Sequence, residues 1–269
     1  MSWWEALILG IVQGLTEFLP VSSSGHLEIA QALFGTASEE NLTFAIVVHT
    51  ATVLSTLCIL WKEVSVLFRG TFTSLQWNEE KQYVCKILVS MIPVFIIGMF
   101  FKDEVEQFFG NGLLLVGVCL LLTAVLLGLS EWLTQRRNTA GHEVTYRDAV
   151  IIGCAQAIAV LPGLSRSGTT IATGLLCGVK KESVAKFSFL MVLIPILGEA
   201  FLSLLDLLNG ELSSSLGIVP LFVGFVAAFV TGCFACRFMI EIVRRQKLIY
   251  FAAYCLLIGV FAIVWSCCG

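Results

Sequence analysis

Charge is what this sequence has least of. Only 13% of its 269 residues are Asp, Glu, Lys or Arg, against about a quarter in soluble domains. That scarcity, with 58% hydrophobic residues, excludes a soluble globular domain and points to a polytopic membrane protein. The net charge of -3 gives no basic footprint, so no nucleic-acid partner is expected. The N-terminus lacks a basic n-region and a small-residue cleavage site, so no cleaved leader is expected. A disulfide framework is missing as well. Most of the ten cysteines lie in apolar segments (Cys58, Cys119, Cys154, Cys177 and Cys255), where a thiol behaves as a small hydrophobe. Cys233-x-x-Cys236 has the spacing of half a metal site, but no second CxxC and no histidine accompanies it, so packing is expected. For Cys267 and Cys268, acylation and plain packing both stay open.

What is present in abundance is apolar length. Six segments, roughly 43–61, 85–101, 113–132, 187–207, 218–236 and 249–266, are long enough to cross a bilayer. Two further apolar regions, 3–34 and 148–178, are interrupted in the middle by "LPVSSSGH" and "LPGLSRSGTT". The returning arm of each is short. About ten helical residues rise about 15 Å, half of a bilayer core, so each region is predicted to enter and leave on the same side. Lys and Arg cluster in 62–84, 133–147, 180–186 and 237–248 and are absent from 208–217. By the positive-inside rule the four basic loops are cytoplasmic. The first hairpin then enters from outside, the second from the cytoplasm, and both termini are external.

The two hairpins match each other. "GIVQGLTEFLPVSSSGH" aligns with "GCAQAIAVLPGLSRSGT" at a spacing of 143, pairing Gln13 with Gln156, the Ser22–Gly25 run with Ser165–Gly168, and Phe44 with Phe187. Each half is one hairpin plus three spans. Three is odd, so the halves run in opposite senses, as in proteins that bring broken helices together near the midplane. The predicted fold is therefore an all-α polytopic membrane protein of six transmembrane helices and two re-entrant helical hairpins. It forms one membrane domain of two inverted-topology repeats, about 1–135 and 145–269.

Irregular backbone at membrane depth must be buried in protein or line a wet cavity, so the two loops are expected to share a polar pocket. Each precedes the start of a short helix, near Gly25 and Gly168, where free N–H groups and the positive dipole end attract anions. Ser22, Ser24, Ser165, Ser167 and Thr170 add hydroxyls, and Arg166 adds a fork suited to phosphate. Capping is an alternative role for the serines, and back-bonding to carbonyls for Thr169 and Thr170. Ionisable groups inside a membrane are functional candidates by default. Glu17, one turn after Gln13, can hold a divalent cation with it or pair structurally with Arg166. His26 can act as acid, base or nucleophile, and Ser23 is an alternative nucleophile. For His49 an interfacial role weighs at least as much as a site role. Glu199 ranks behind these. Glu28 lies two residues beyond His26, faces away from it, and is expected at a surface or interface. Trp3 and Trp4 suit an interfacial belt.

With these motifs the chain resembles the undecaprenyl-diphosphatase family of bacitracin-resistance membrane phosphatases. The resemblance rests on "QGLTEFLPVSSSGH" and "PGLSRSGTT", in that order, and extends over essentially the whole chain. It implies hydrolysis of undecaprenyl diphosphate to the monophosphate carrier lipid, recycled for cell-wall synthesis. It also implies a bacterial inner-membrane location, a site open to the exterior, and dependence on a divalent cation, Mg²⁺ or Ca²⁺. The residues carried over are Gln13, Glu17, Ser23, His26 and Arg166, supported by Ser165, Ser167 and Thr170. Gln13 stands where other members have Glu, so Glu17 must carry more of any metal binding. The phosphatidic acid phosphatase superfamily shares "SGH" and "SR" motifs but also requires a Lys-x6-Arg-Pro segment and a later histidine, and no histidine follows Arg166. A transporter or flippase for a phosphorylated lipid is the alternative function, and a homodimer is an open alternative to a monomer.

Overall fold

The computed structural model describes residues 1–35, 38–73, 76–101, 112–137, 141–208, 216–244 and 248–268. Side chains are described for all of these except 38–42, 199–200, 202–208, 240, 243–244 and 268. Among the described residues the regular structure is helical, with one isolated parallel bridge, His142 to Val179. In order, the helices are α1 (Trp3–Phe18), α2 (Ser23–Phe34), α3 (Ser38–Ile59), α4 (Trp61–Thr73), α5 (Glu79–Phe100) and α6 (Gly112–Arg136). They continue as α7 (Tyr146–Ile158), α8 (Arg166–Cys177), α9 (Lys181–Leu208), α10 (Ile218–Arg244) and α11 (Leu248–Cys268).

The caps explain where the hairpin helices begin and end. Ser2 and Glu5 form a capping box at α1, and Thr145 and Asp148 form another at α7; each satisfies two backbone donors of the first turn. Ser22 Oγ accepts from the Gly25 amide at α2, and Ser165 Oγ accepts from the Gly168 amide at α8. Both short helices stop at a left-handed glycine, Gly35 at φ 64° and Gly178 at φ 91°, where a side chain would be strained. α2 and α8 are therefore 12 residues each, close to the length of about ten that the sequence suggested.

Each of the six predicted spans falls largely within one helix, in order α3, α5, α6, α9, α10 and α11. By length and composition, α5, α6, Ile218–Met239 of α10 and Leu248–Cys267 of α11 can each cross a membrane. Thr43–Ile59 with α4 makes a fifth if the two, bent by 74°, count as one span. Where the sequence suggested a loop after residue 61, the chain forms α4. Its Lys, Glu and Arg read as loop charges, yet Trp61, Val64, Leu67 and Phe68 recur at helical spacing between them, which is an amphipathic helix.

Small residues decide which helices touch. α1 lies along α10, with a Cβ on Gly10 2.5 Å from the Gly224 carbonyl and one on Gly14 2.5 Å from the Ala228 carbonyl. α6 lies along α11, where Gly117 and Gly259 each face the other's carbonyl. α7 meets α5 at Gly153 and Ser90. Phe44 and Phe187 are fully buried. This packing brings the turn at residues 19–22 against the turn at 159–165. Ser167 Oγ donates to the Leu19 carbonyl at 3.3 Å, and the Gly163 amide donates to Ser24 Oγ at 3.4 Å.

Candidate active site

Glu17 is the hub of the site. It sits in the last turn of α1 with its side chain 7% exposed, so its charge is stable there only if donors surround it. Oε2 accepts from Ser23 Oγ at 2.6 Å and from Gln13 Nε2 at 2.8 Å. His49 Nε2 lies 3.6 Å from the same oxygen, and Arg166 Nη2 lies 3.5 Å from Oε1. Four helices, α1, α2, α3 and α8, thus converge on one carboxylate. The other His49 nitrogen, Nδ1, is 2.9 Å from the Ala45 carbonyl. A carbonyl only accepts, so Nδ1 carries a proton and Nε2 is the nitrogen turned to Glu17.

These groups face a cavity of about 900 Å³. Its polar end carries Glu17, Ser22, Ser23 and Ser24 from the first loop and Ser165, Arg166 and Ser167 from the second. His49, Thr52 and Thr56 line it from one face of α3. Ser22 is the one non-glycine residue with positive φ, 68°, among the described residues. That unusual backbone turns Ser23 back toward Glu17, and strain of this kind concentrates at functional sites.

Not every predicted residue joins the cluster. The His26 ring does not line the cavity. Its Nδ1 is 2.8 Å from the Ser22 carbonyl, its Nε2 is 2.9 Å from the Tyr254 hydroxyl, and the two rings stack 5.5 Å apart. Gly25 and Gly168 also stand outside the lining. A Cβ on Gly25 would come within 3.1 Å of Gly163, and one on Gly168 within 3.1 Å of Pro20, so both glycines let the loops meet. Thr170 back-bonds to the carbonyls of Arg166 and Ser167. Gln13 is fully buried behind Glu17, and its Oε1 has no hydrogen-bond partner among the described residues. Glu28 does face away from His26, but into the cavity rather than to an outer surface. The Glu199 side chain lies outside the described residues. Among the described residues no three His, Cys, Asp or Glu side chains form a metal cluster.

His49, Tyr254 and Gln156 are the residues that sequence reasoning undervalued or missed. The signal for His49 was available. In "HTATVLST", His49, Thr52 and Thr56 fall at helical spacing in an otherwise apolar span, which marks a polar face. Gln156 lines the cavity with its Oε1 buried and, among the described residues, unpaired; its Nε2 lies 4.0 Å from Met91 Sδ. Tyr254 had no local signal, since its partner is 228 residues away.

Similarity to known proteins extends over essentially the whole chain. The chain is 59% identical over 267 residues to the undecaprenyl-diphosphatase of Bacteroides fragilis, covering 99% of both chains. It is 60% identical to that of Parabacteroides distasonis, covering 98% of each, and 48% identical to that of Christiangramia forsetii, covering 99% of each. The model of the bacitracin resistance protein BacA matches residues 6–261, a stretch that holds both loops. The chain belongs to the BacA family.

Proposed function

We propose that the protein is an integral membrane phosphatase that hydrolyses undecaprenyl diphosphate to undecaprenyl phosphate and inorganic phosphate, returning the carrier lipid to cell-wall synthesis. The observation that carries this is the convergence of Ser23, Glu17, His49 and Arg166 on one cavity wall. Arg166 and the amide groups at the starts of α2 and α8 hold the diphosphate oxygens and stabilise the charge that grows on them. Ser23 Oγ donates to Glu17 at 2.6 Å, the relation of a nucleophile to its base. In this scheme Oγ attacks the terminal phosphorus, Glu17 takes the hydroxyl proton, and undecaprenyl phosphate leaves with the bridging oxygen. Water then hydrolyses the phosphoserine. His26 acts by holding the Ser22 carbonyl, and so the turn that presents Ser23.

A divalent cation, Mg²⁺ or Ca²⁺, is part of the proposal. The unpaired Gln13 Oε1 lies one helical turn from Glu17. A carboxylate and an amide oxygen are donor types that suit a hard cation. Of the two only Glu17 lines the cavity, so Glu17 would hold the cation and Gln13, donating to that carboxylate from behind, would orient it. Bound there, the cation would neutralise charge on the diphosphate.

We extend the proposal to the membrane. Six spans, two re-entrant hairpins and inverted halves, in a bacterial inner membrane with the site open to the exterior, account for several equivalences 143 residues apart. These are the caps Ser2 and Thr145, the caps Ser22 and Ser165, the stops Gly35 and Gly178, and the buried Phe44 and Phe187. The activity for which the relatives are named favours hydrolysis over transport. In detergent, with no gradient, purified protein should release phosphate from undecaprenyl diphosphate in the presence of Mg²⁺ or Ca²⁺. Arg166→Ala should lower that rate by about a hundredfold or more. Wild-type protein that releases nothing would sink the proposal, and a trapped phosphoserine at position 23 would establish the covalent route.

A further inference from the structure

The cavity is polar at one end only. Away from Glu17, α5 contributes Val94, Ile97 and Gly98, and α9 contributes Val192, Pro195 and Ile196. On both helices the spacing is i, i+3, i+4, so each presents a single face to the cavity. A diphosphate gains nothing from such a wall, whereas an isoprenoid chain gains from every carbon it buries there.

Gly98 is the odd member. Glycine inside a helix is destabilising relative to alanine, and most helical glycines here are explained by a neighbour that a Cβ would strike, as at Gly14, Gly117 and Gly153. At Gly98 a Cβ meets nothing within 4 Å among the described residues. The residue is exposed, yet it lines the cavity. No described neighbour accounts for it, and its exposure on the cavity lining puts the space it leaves open at the rim. Ile92, Phe95, Ile96 and Met99 on the same helix are the exposed apolar residues of the outer face.

We infer that the α5/α9 wall seats the first isoprene units of the substrate and that the rest of the chain leaves the cavity over Gly98. The inference rests on the proposed phosphatase function and adds to it a determinant of chain length. A cavity of about 900 Å³ takes the head group and the near part of an undecaprenyl chain, and the remainder must pass a rim into the bilayer. A bulky residue at position 98 obstructs that passage. A short chain, which ends inside the cavity, does not meet it.

The test compares kcat/KM for undecaprenyl diphosphate and farnesyl diphosphate, both in detergent. Gly98→Phe should lower the value for undecaprenyl diphosphate by about tenfold or more and leave that for farnesyl diphosphate within about threefold. Ile92→Phe, which adds similar bulk to the lipid side of α5, should change neither. Ile196→Ala removes bulk from the wall and should raise KM for both lipids while leaving kcat in place. Equal losses on both substrates with Gly98→Phe, or no loss on either, overturn the exit over Gly98. An unchanged KM with Ile196→Ala overturns the seat. Wild-type protein that releases phosphate from neither lipid overturns the phosphatase function itself and this subsite with it.

Discussion

Glu17 is approached by side chains from four helices, and its behaviour depends on all of them. His49 contributes through one nitrogen, Nε2, because Nδ1 is committed to the Ala45 carbonyl. His49→Phe keeps the ring volume and removes that nitrogen. It should lower kcat by about tenfold to a hundredfold with little change in thermal unfolding, and an unchanged kcat would show that His49 is only packed there. Away from the membrane, His142 gives a pH prediction. Its Nδ1 faces the Glu143 carbonyl at 2.9 Å and its Nε2 the Cys177 carbonyl at 3.3 Å. A neutral ring can donate to only one of two carbonyls, so these bonds, the Glu143 carbonyl first, hold the His142 pKa above its ordinary value, with Asp148 adding to the effect. The stabilisation is complete below the ordinary histidine value of about 6.5 and is lost as pH rises through the raised one. Unfolding temperature should therefore fall across that window, and His142→Gln should flatten the fall.

At the scale of elements, α1 meets α10 and α6 meets α11 through close approaches of small residues. Gly14 on α1 sits against Ala228 and Gly232 of α10. Gly14→Leu forces the pair apart and should cost about 1–3 kcal/mol, read as a lower unfolding temperature in detergent. The loops depend on the same economy of volume. Gly168→Ala places a methyl 2.9 Å from Ser165 Oγ and 3.1 Å from Pro20, against the cap of α8 and the facing turn. Phosphate release should drop by about tenfold, with KM rising more than kcat falls, because Arg166 is the first residue of α8 and moves with it. A purely structural role would lower stability and leave KM alone.

At the scale of the whole molecule, the two hairpins matter only because they meet. Ser167 bonds to Leu19, Gly163 to Ser24, and Ser165 to Thr123 of α6, so each half of the chain completes the site of the other. Inverted halves predict opposite labelling. Cysteines introduced within residues 36–42 should react with an impermeant reagent from outside the cell, and those within 180–186 only from the cytoplasm. The reverse pattern would overturn the proposed orientation.

Much of this was determined by the sequence alone. Apolar length, scarce charge and loop Lys and Arg gave six helical segments. The repeat at 143 residues placed two short helices after the matched loops, and the structure starts them at the serine caps Ser22 and Ser165. Glu17, Ser23 and Arg166 were legible because polar residues in an apolar chain need a reason to be there. Local pattern could not rank the three histidines. His26 stands inside the strongest motif, yet its ring packs on Tyr254, while His49, in a span that reads as ordinary, faces Glu17. The direction of a side chain within its helix depends on which neighbour covers each face. Those neighbours lie tens to hundreds of residues away, and only the packing of α1 on α10 and of one loop on the other brings them to the site.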